Sequence, residues 1–321
     1  MKDAWGRTIE YVRLSLTDAC NFCCPYCRPA EITPQSQTQL LSVDEWMNIL
    51  GAFHHIGVKA VRLTGGEPLL YPHIEELLGR IKETGWFEDI SMTTNGSLLA
   101  SRAQRLKKLG LNRVNISLDS LETEAFATCV GKEGQLESVL DGIRSAINAN
   151  FKSVKINTVL SRYWSDDEVK SLLQYVEKWR VVWRFIEYMP FQGDAFHGPT
   201  FDEWKEQLER VSGGSLTEVH SIYGFGPATY LALPSGKAVG FIFSMSHSYC
   251  DTCNRVRLTS DGQMRLCLLR DDEADLVSLV RNGASEEALA KHIERSLQRK
   301  QERHDGIGME QPERPMWRIG G

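Results

Sequence analysis

Six short apolar runs rich in β-branched residues recur along the first 190 residues, each followed by a helical pattern. They are YVRLSLT (11–17), AVRLTG (60–65), DISMTTN (89–95), RVNISLD (113–119), SVKINTVL (153–160) and VVWRFIEYM (181–189). Strands separated by helices in this order predict an α/β fold, with parallel strands joined by right-handed crossovers. Capping boxes at Ser42-Val43-Asp44-Glu45 and Ser165-Asp166-Asp167-Glu168 open two of the helices, Gly57 closes the first, and Pro72 suits the first turn of another. The strand interiors are apolar, but most of the runs end in small polar or charged groups. These are Thr17-Asp18, Thr64-Gly65-Gly66-Glu67, Thr93-Thr94-Asn95, Ser117-Leu118-Asp119, Asn157 and Glu187. A turn or helix cap accounts for any one of them. Six together predict a shared site at the C-terminal ends of barrel strands.

After about residue 195 the pattern changes, which divides the chain into 1–195 and 196–321. A helix-like FDEWKEQLERV leads into Gly/Pro-punctuated strand-like pieces around 222–265, then a helix from Ser285 to about Arg303, then a loop-like tail ending in Gly320-Gly321. No stretch approaches 18 consecutive apolar residues, and the N-terminus has no secretory h-region, so a cytoplasmic protein without a membrane partner is expected. The net charge of −5 argues against broad capture of nucleic acid, and any anionic ligand requires a local cluster of Arg and Lys.

TDACNFCCPYC (17–27) places four of the eight cysteines within eight residues. In a cytosolic chain such clustering points to metal or redox chemistry rather than disulfides. A structural zinc site wants four ligands, and the nearest histidine is His54. An iron–sulfur cluster on three thiolates keeps one iron open, and spacing favours the cluster. Spacing leaves two triads, Cys20/Cys23/Cys27 and Cys20/Cys24/Cys27. A second group, Cys250, Cys253 and Cys267, is C-x2-C-x13-C, with His247 as a candidate fourth zinc ligand and Arg255, Arg257 and Arg265 in the inserted segment. Arg255 and Arg257 project to the same side of an extended strand, where two guanidiniums suit phosphate; a solvated basic edge strand is the alternative.

C-x3-C-x2-C with an aromatic before the last Cys, at the end of the first strand, resembles the radical S-adenosylmethionine (SAM) superfamily. The resemblance selects Cys20, Cys24 and Cys27 as ligands of a [4Fe–4S] cluster, with Tyr26 as the aromatic and Cys23 as a bystander. It also implies SAM contacts at Gly66 in TGGEP, Ser117 in NISLD and Met189 in FIEYM. Together with C-x2-C-x-R-x-R-L-T-x-D-G-x4-C and RLTGGEPL, these motifs are similar over nearly the whole chain to the GTP 3′,8-cyclases of molybdenum cofactor biosynthesis. That family implies an incomplete (β/α)6 TIM-type barrel and a C-terminal α+β domain carrying a second [4Fe–4S] cluster, on Cys250, Cys253 and Cys267. GTP contacts are implied at Arg13, Arg62, Thr93, Lys155, Arg255, Val256 and Arg257; Arg184 falls at another basic position of the same site. Arg255, Arg257 and the tail glycines Gly320 and Gly321 are implied to act closest to the chemistry.

The implied reaction is one-electron cleavage of SAM to a 5′-deoxyadenosyl radical, removal of the 3′ hydrogen of GTP, attack of the C3′ radical on C8, and reduction of the cyclised radical by one electron and a proton to 3′,8-cyclo-7,8-dihydro-GTP. An electron-donor protein and a homodimer are implied partners. Ala19, where the family commonly has Arg, the extra Cys23, and Trp317 within the M-x-x-I-G-G tail depart from the pattern. Alternative expectations are a peptide-modifying radical SAM enzyme and a non-catalytic zinc protein that binds nucleotide. Cys129 reads as an ordinary small hydrophobe.

Overall fold

In the computed structural model, which describes residues 1–27, 40–189, 198–219, 224–304, 314 and 316–319, each of the six runs forms a strand. These are β1 (Tyr11–Ser15), β2 (Ala60–Thr64), β3 (Asp89–Thr94), β4 (Arg113–Ser117), β5 (Ser153–Val159) and β6 (Val182–Ile186). They pair in chain order, every pair parallel. Helices α1 (Val43–His55), α2 (Ile74–Thr84), α3 (Ala103–Lys108), α4 (Thr123–Val130), α5 (Leu136–Asn148) and α6 (Asp166–Lys178) fill the connections. Both predicted capping boxes form, with Ser42 and Ser165 accepting from the third helical N–H and Glu45 and Glu168 reaching back to the cap. Pro72 lies in the turn ahead of α2 rather than in its first turn, because His73 is the cap residue.

The strand period of two sorts the sheet into two faces. Val12, Leu14, Val61, Leu63, Met92, Val114, Ile116 and Ile156 point towards the helices and are buried with Trp46, Leu50, Phe53 and Leu77. Burying each such side chain contributes roughly 1.5–3 kcal/mol. The alternate residues, among them Arg13, Arg62, Thr93, Ser117, Asn157 and Arg184, line a cavity instead. The inner face is therefore polar along its length, not only at the strand ends.

The C-terminal part contributes α7 (Phe201–Ser212), β7 (Thr217–Glu218), β8 (Thr229–Ala232), β9 (Ala238–Ile242), β10 (Arg255–Leu258), β11 (Gln263–Arg265), β12 (Glu273–Asp275), α8 (Val277–Arg281) and α9 (Glu286–Leu297). Its strands extend the same sheet on both flanks. β10 lies parallel beside β1 and β9 parallel beside β6, while β11–β12 and β8–β7 continue antiparallel outside them. The order is β12-β11-β10-β1-β2-β3-β4-β5-β6-β9-β8-β7, an open row among the described residues. The division expected near residue 195 falls among residues 190–197, which lie outside the described ones. α9 packs on α1 and ends at Leu297, six residues short of the Arg303 expected from its pattern. No helix among the described residues is long and apolar enough to cross a membrane.

Candidate active site

A cavity of about 240 Å³ lies at the C-terminal ends of the parallel strands. Its wall includes Cys20, Cys24, Cys27, Tyr26, Gly66, Ser117 and Met189, and on the other side Arg13, Arg62, Thr93, Arg184, Arg255 and Arg257.

The cysteine loop follows β1 and is fastened at several points. The Gly66 N–H donates to the Thr17 carbonyl at 2.7 Å and the Glu67 N–H to the Ala19 carbonyl at 2.8 Å. Any Cβ on Gly65 would come within 2.6 Å of the Thr17 oxygen, and one on Gly66 within 2.4 Å of the Ala19 oxygen. The paired glycines of TGGEP thus admit the backbone of the cysteine loop, while also facing the cavity. Tyr26 Oη donates to the Asp119 carboxylate at 2.5 Å, tying the loop to the end of β4. Burial pushes Asp119 up to about 6, although the hydrogen bonds from Tyr26 and the Val159 N–H oppose the rise.

Cys20, Cys24 and Cys27 line the cavity, and none forms a disulfide. Cys23 is exposed and absent from the wall; its N–H is held by the Val130 carbonyl at 2.9 Å. Three thiols outside any disulfide and lining one cavity fit the ligand set of an iron–sulfur cluster. Burial, followed by repulsion from Cys27, pushes the Cys24 thiol well up.

Glu67 organises the rim. It is fully buried and accepts from the Leu69 N–H at 3.0 Å, Thr94 Oγ1 at 2.8 Å and the Asn95 N–H at 2.7 Å. Burial pushes it up to about 7 against those three donors. Asn95 passes the order on, donating to Asn21 at 2.8 Å within the cysteine loop.

Opposite stands a row of cations. Parallel register makes Arg257, Arg13 and Arg62 direct neighbours across β10, β1 and β2. Burial, then the charge of Arg257, lowers Arg13 well below its usual range, and burial brings Arg257 and Arg184 down to about 10. Arg184 is held by the side-chain oxygens of Asn157 and Asn115 at 2.6–2.9 Å. Thr93 Oγ1 and Arg255 Nε are buried with no hydrogen-bond partner among the described residues. Such groups are costly unless a ligand completes them.

Not every expected residue reaches the cavity. Lys155 is absent from its wall: its ammonium lies 3.3 Å from Tyr230 Oη, and burial with Arg184 and Arg62 nearby lowers it to about 6. Val256, on the opposite face of β10 from Arg255 and Arg257, is buried and lines a second chamber. Arg265 is occupied by Asp271 and Glu273 at 2.9 and 2.7 Å. β10 is an interior strand, so a solvated basic edge is not what forms.

The second chamber, about 60 Å³, adjoins the first and shares Tyr249, Arg255, Arg257 and Leu268 with it. Cys250, Cys253 and Cys267 all line it. Burial raises Cys250, but hydrogen bonds from His304 and Ser248 outweigh it and bring the thiol to about 6. Cys253 is likewise lowered, burial being outweighed by Lys300 and Arg255. The lowering at Cys250 and Cys253 favours the thiolate form that metal ligands take, which suits a second metal centre. His247 stacks on Phe201 with ring centroids 5.1 Å apart, away from this wall, and His304 is the histidine that lines it. Among the described residues no three His, Cys, Asp or Glu side chains are grouped as a site for a single metal ion.

From its residues the tail read as a loop, and resemblance implied a place near the chemistry for its two glycines. Met316 and Trp317 line the main cavity, and the Ile319 carbonyl accepts from Arg257 Nη1 at 3.3 Å. Arg318 pairs with Asp18 at 3.4 Å, and Arg314 with Asp261 and Glu273 at 2.9 and 2.8 Å. Gly320 and Gly321 lie outside the described residues. His304, Tyr249, Asn115 and the Arg318–Asp18 pair escaped the sequence reading, in which Asn157 figured as a strand-end polar group; a motif-adjacent aromatic at 249 was the only signal available.

Residues 14–176 match the Radical SAM superfamily and residues 181–306 match Molybdenum Cofactor Synthesis C. Relatives named GTP 3′,8-cyclase include those of Pelotomaculum thermopropionicum, 37% identical over 326 residues, and Heliobacterium modesticaldum, 38% over 329. Both alignments span 100% of each chain. Among solved structures, Streptococcus suis SuiB bound to S-adenosylmethionine is 15% identical with a TM-score of 0.64, covering 88% of this chain and 68% of that one. That likeness concerns the fold alone. With the cysteine triad on one wall and the cation row on the other, the chain belongs to the radical SAM superfamily and, within it, to the GTP 3′,8-cyclase family.

Proposed function

We propose that this chain joins C3′ of the ribose of GTP to C8 of its guanine, giving 3′,8-cyclo-7,8-dihydro-GTP in the first step of molybdenum cofactor biosynthesis. The observation that carries this reading is the register-matched row Arg257–Arg13–Arg62, buried opposite the thiols. Three neighbouring buried guanidiniums repel one another, and a triphosphate of charge near −4 offsets that repulsion. The net charge of −5 requires such a site to be local.

Cys20, Cys24 and Cys27 would hold a [4Fe–4S] cluster with SAM at its open iron, and Cys250, Cys253 and Cys267 a second cluster. When bound, these groups would supply the electron that cleaves SAM and the 5′-deoxyadenosyl radical, and the external electron donor would supply the second electron that, with a proton, reduces the cyclised radical. The protein supplies position and enclosure. Gly66, Ser117 and Met189 face the SAM side; Arg13, Arg62, Arg184, Arg255 and Arg257 hold the triphosphate and orient the ribose; Thr93 offers its unsatisfied hydroxyl. Lys155 acts from beneath Arg184 by keeping the layer positioned, with Val256 placing Arg255 and Arg257 on one face. Met316 and Trp317 of the tail, which line the cavity, close it against water; the role near the chemistry that resemblance implies for Gly320 and Gly321 falls outside the described residues. An external electron-donor protein and a homodimer, implied by resemblance, complete the reading.

The test is anaerobic turnover of iron- and sulfide-reconstituted protein with dithionite and SAM, with GTP, ATP or no nucleotide, followed by mass spectrometry. 5′-Deoxyadenosine with GTP consumption and a cyclised nucleotide of GTP's mass is the expected result. Deoxyadenosine without GTP consumption overturns the substrate; no iron uptake overturns the cluster chemistry altogether.

A further inference from the structure

Arg184 reaches the main cavity through a slot built for it. It stands on β6 in register with Gly240 of β9, where any Cβ would come within 2.7 Å of Arg184 Cγ and 2.8 Å of the Tyr230 ring. The residue is 1% exposed and lines the cavity. Nε and Nη2 both donate to Asn157 Oδ1, at 2.9 and 2.6 Å, and Nη2 also donates to Asn115 Oδ1 at 2.7 Å. Three bonds on two nitrogens fix the plane of the guanidinium. An arginine only donates, so each amide must turn its oxygen towards it; Asn115 Nδ2 is then spent on the Met92 carbonyl at 3.0 Å.

Both acceptors are neutral. Arg113, Arg265 and Arg318 are each paired with a carboxylate, whereas among the described residues Arg184 is paired with none. A carboxylate would hold the guanidinium as firmly but would cancel the charge that a ligand feels; an amide oxygen holds it with that charge undiminished. We propose that Asn157 and Asn115 are positioning residues that orient Arg184 without a counter-ion, so that its full charge meets the phosphates of the nucleotide. The inference rests on the reading of the GTP site above.

The test is anaerobic calorimetry of GTP and of guanosine, without SAM, on the full chain reconstituted with iron and sulfide, with thermal melts alongside. Asn157→Asp keeps the oxygen that Arg184 uses and adds a counter-charge; among the described residues the Nδ2 it replaces makes no hydrogen bond. Arg184→Gln deletes the charge itself. The expected result is that both variants lose GTP affinity to a similar extent, about 10- to 100-fold, with guanosine binding unchanged and Asn157→Asp melting no lower than wild type. A merely structural clamp is served as well by a carboxylate, so unmoved GTP affinity in either variant overturns the proposal. A loss in Asn157→Asp far beyond that of Arg184→Gln overturns it too, because the carboxylate then repels the phosphates instead of pairing with Arg184. Equal losses for GTP and guanosine likewise overturn it. Asn115→Asp, which puts the carboxylate against Nη2 alone, gives the same comparison if Asn157→Asp does not fold. A wild-type chain that binds GTP no more tightly than guanosine overturns the phosphate reading of the cation row itself.

Discussion

Glu67→Gln tests whether the rim of the SAM side is held by one buried carboxyl. The wild-type group receives three donors, and burial raises it from 4.5 to about 7. A carboxyl whose folded value is raised contributes stability that is complete below its unfolded value and is lost as pH rises through the folded value. Between pH 5.5 and pH 8 the loss comes to about 2 kcal/mol by linkage from those two values. Glutamine does not ionise, so the variant lacks this slope. It instead turns an amide donor on one of the three donors, at a constant cost of roughly 1–3 kcal/mol. For a chain of this size, with unfolding entropy of about 2.1 cal/mol/K per residue, 2 kcal/mol corresponds to a Tm change of about 3 °C. Anaerobic thermal melts of the apoprotein across pH 5.5–8 should show the variant melting below wild type at pH 5.5, with the difference moving by about 3 °C in its favour by pH 8. Other titrating groups cancel in the difference. Parallel curves would refute the assignment of this titration to Glu67.

Cys23→Ser should keep the iron content of reconstituted protein, whereas Cys24→Ser should lose the iron of the first site, because Cys23 is exposed and only Cys24 faces the cavity; iron and sulfide assays decide it. Arg257→Ala removes one member of the guanidinium row and should weaken GTP binding about 10- to 100-fold, the loss of one or two hydrogen bonds to a charged group, as read by calorimetry on reconstituted protein. Arg318→Ala deletes the pair with buried Asp18 and should expose the tail to carboxypeptidase, with unfolding stability lowered by no more than about 1 kcal/mol since Arg318 is partly exposed; unchanged proteolysis would mean that the Ile319 and Arg314 contacts suffice.

The six β/α units were legible because an apolar period and capping chemistry are local, and Ser42 and Ser165 cap where their sequences say. The neighbours of β1 and β6 were not, since the pairing of β10 with β1 joins segments that no local pattern connects. The cysteine triad needed resemblance to choose between Cys23 and Cys24; geometry gives the reason, since the backbone at Cys23 is drawn towards Val130 and its side chain is left outside. The glycines of TGGEP were expected to admit a ligand, and their closest approach is to the Thr17 and Ala19 carbonyls. His247 was the nearer histidine in sequence and His304 the nearer one in space. Lys155 was expected, by resemblance, to contact GTP, and its strand position places it a layer below the cavity wall.

The sheet's late-arriving flank has a consequence for biogenesis. Asp18 and Ser260 touch although 242 residues separate them, and β10 must dock before β1 has both of its neighbours. At synthesis rates of about 5–20 residues per second, the cysteine loop leaves the ribosome on the order of ten seconds to a minute before that partner exists. During this interval β1 is an unpaired strand edge, open to association with other chains, and the thiols beside it stand in a half-built wall. A ligand reaching the cavity then meets a cation row that has Arg13 and Arg62 but lacks Arg257, so the wall is complete only once β10 has docked.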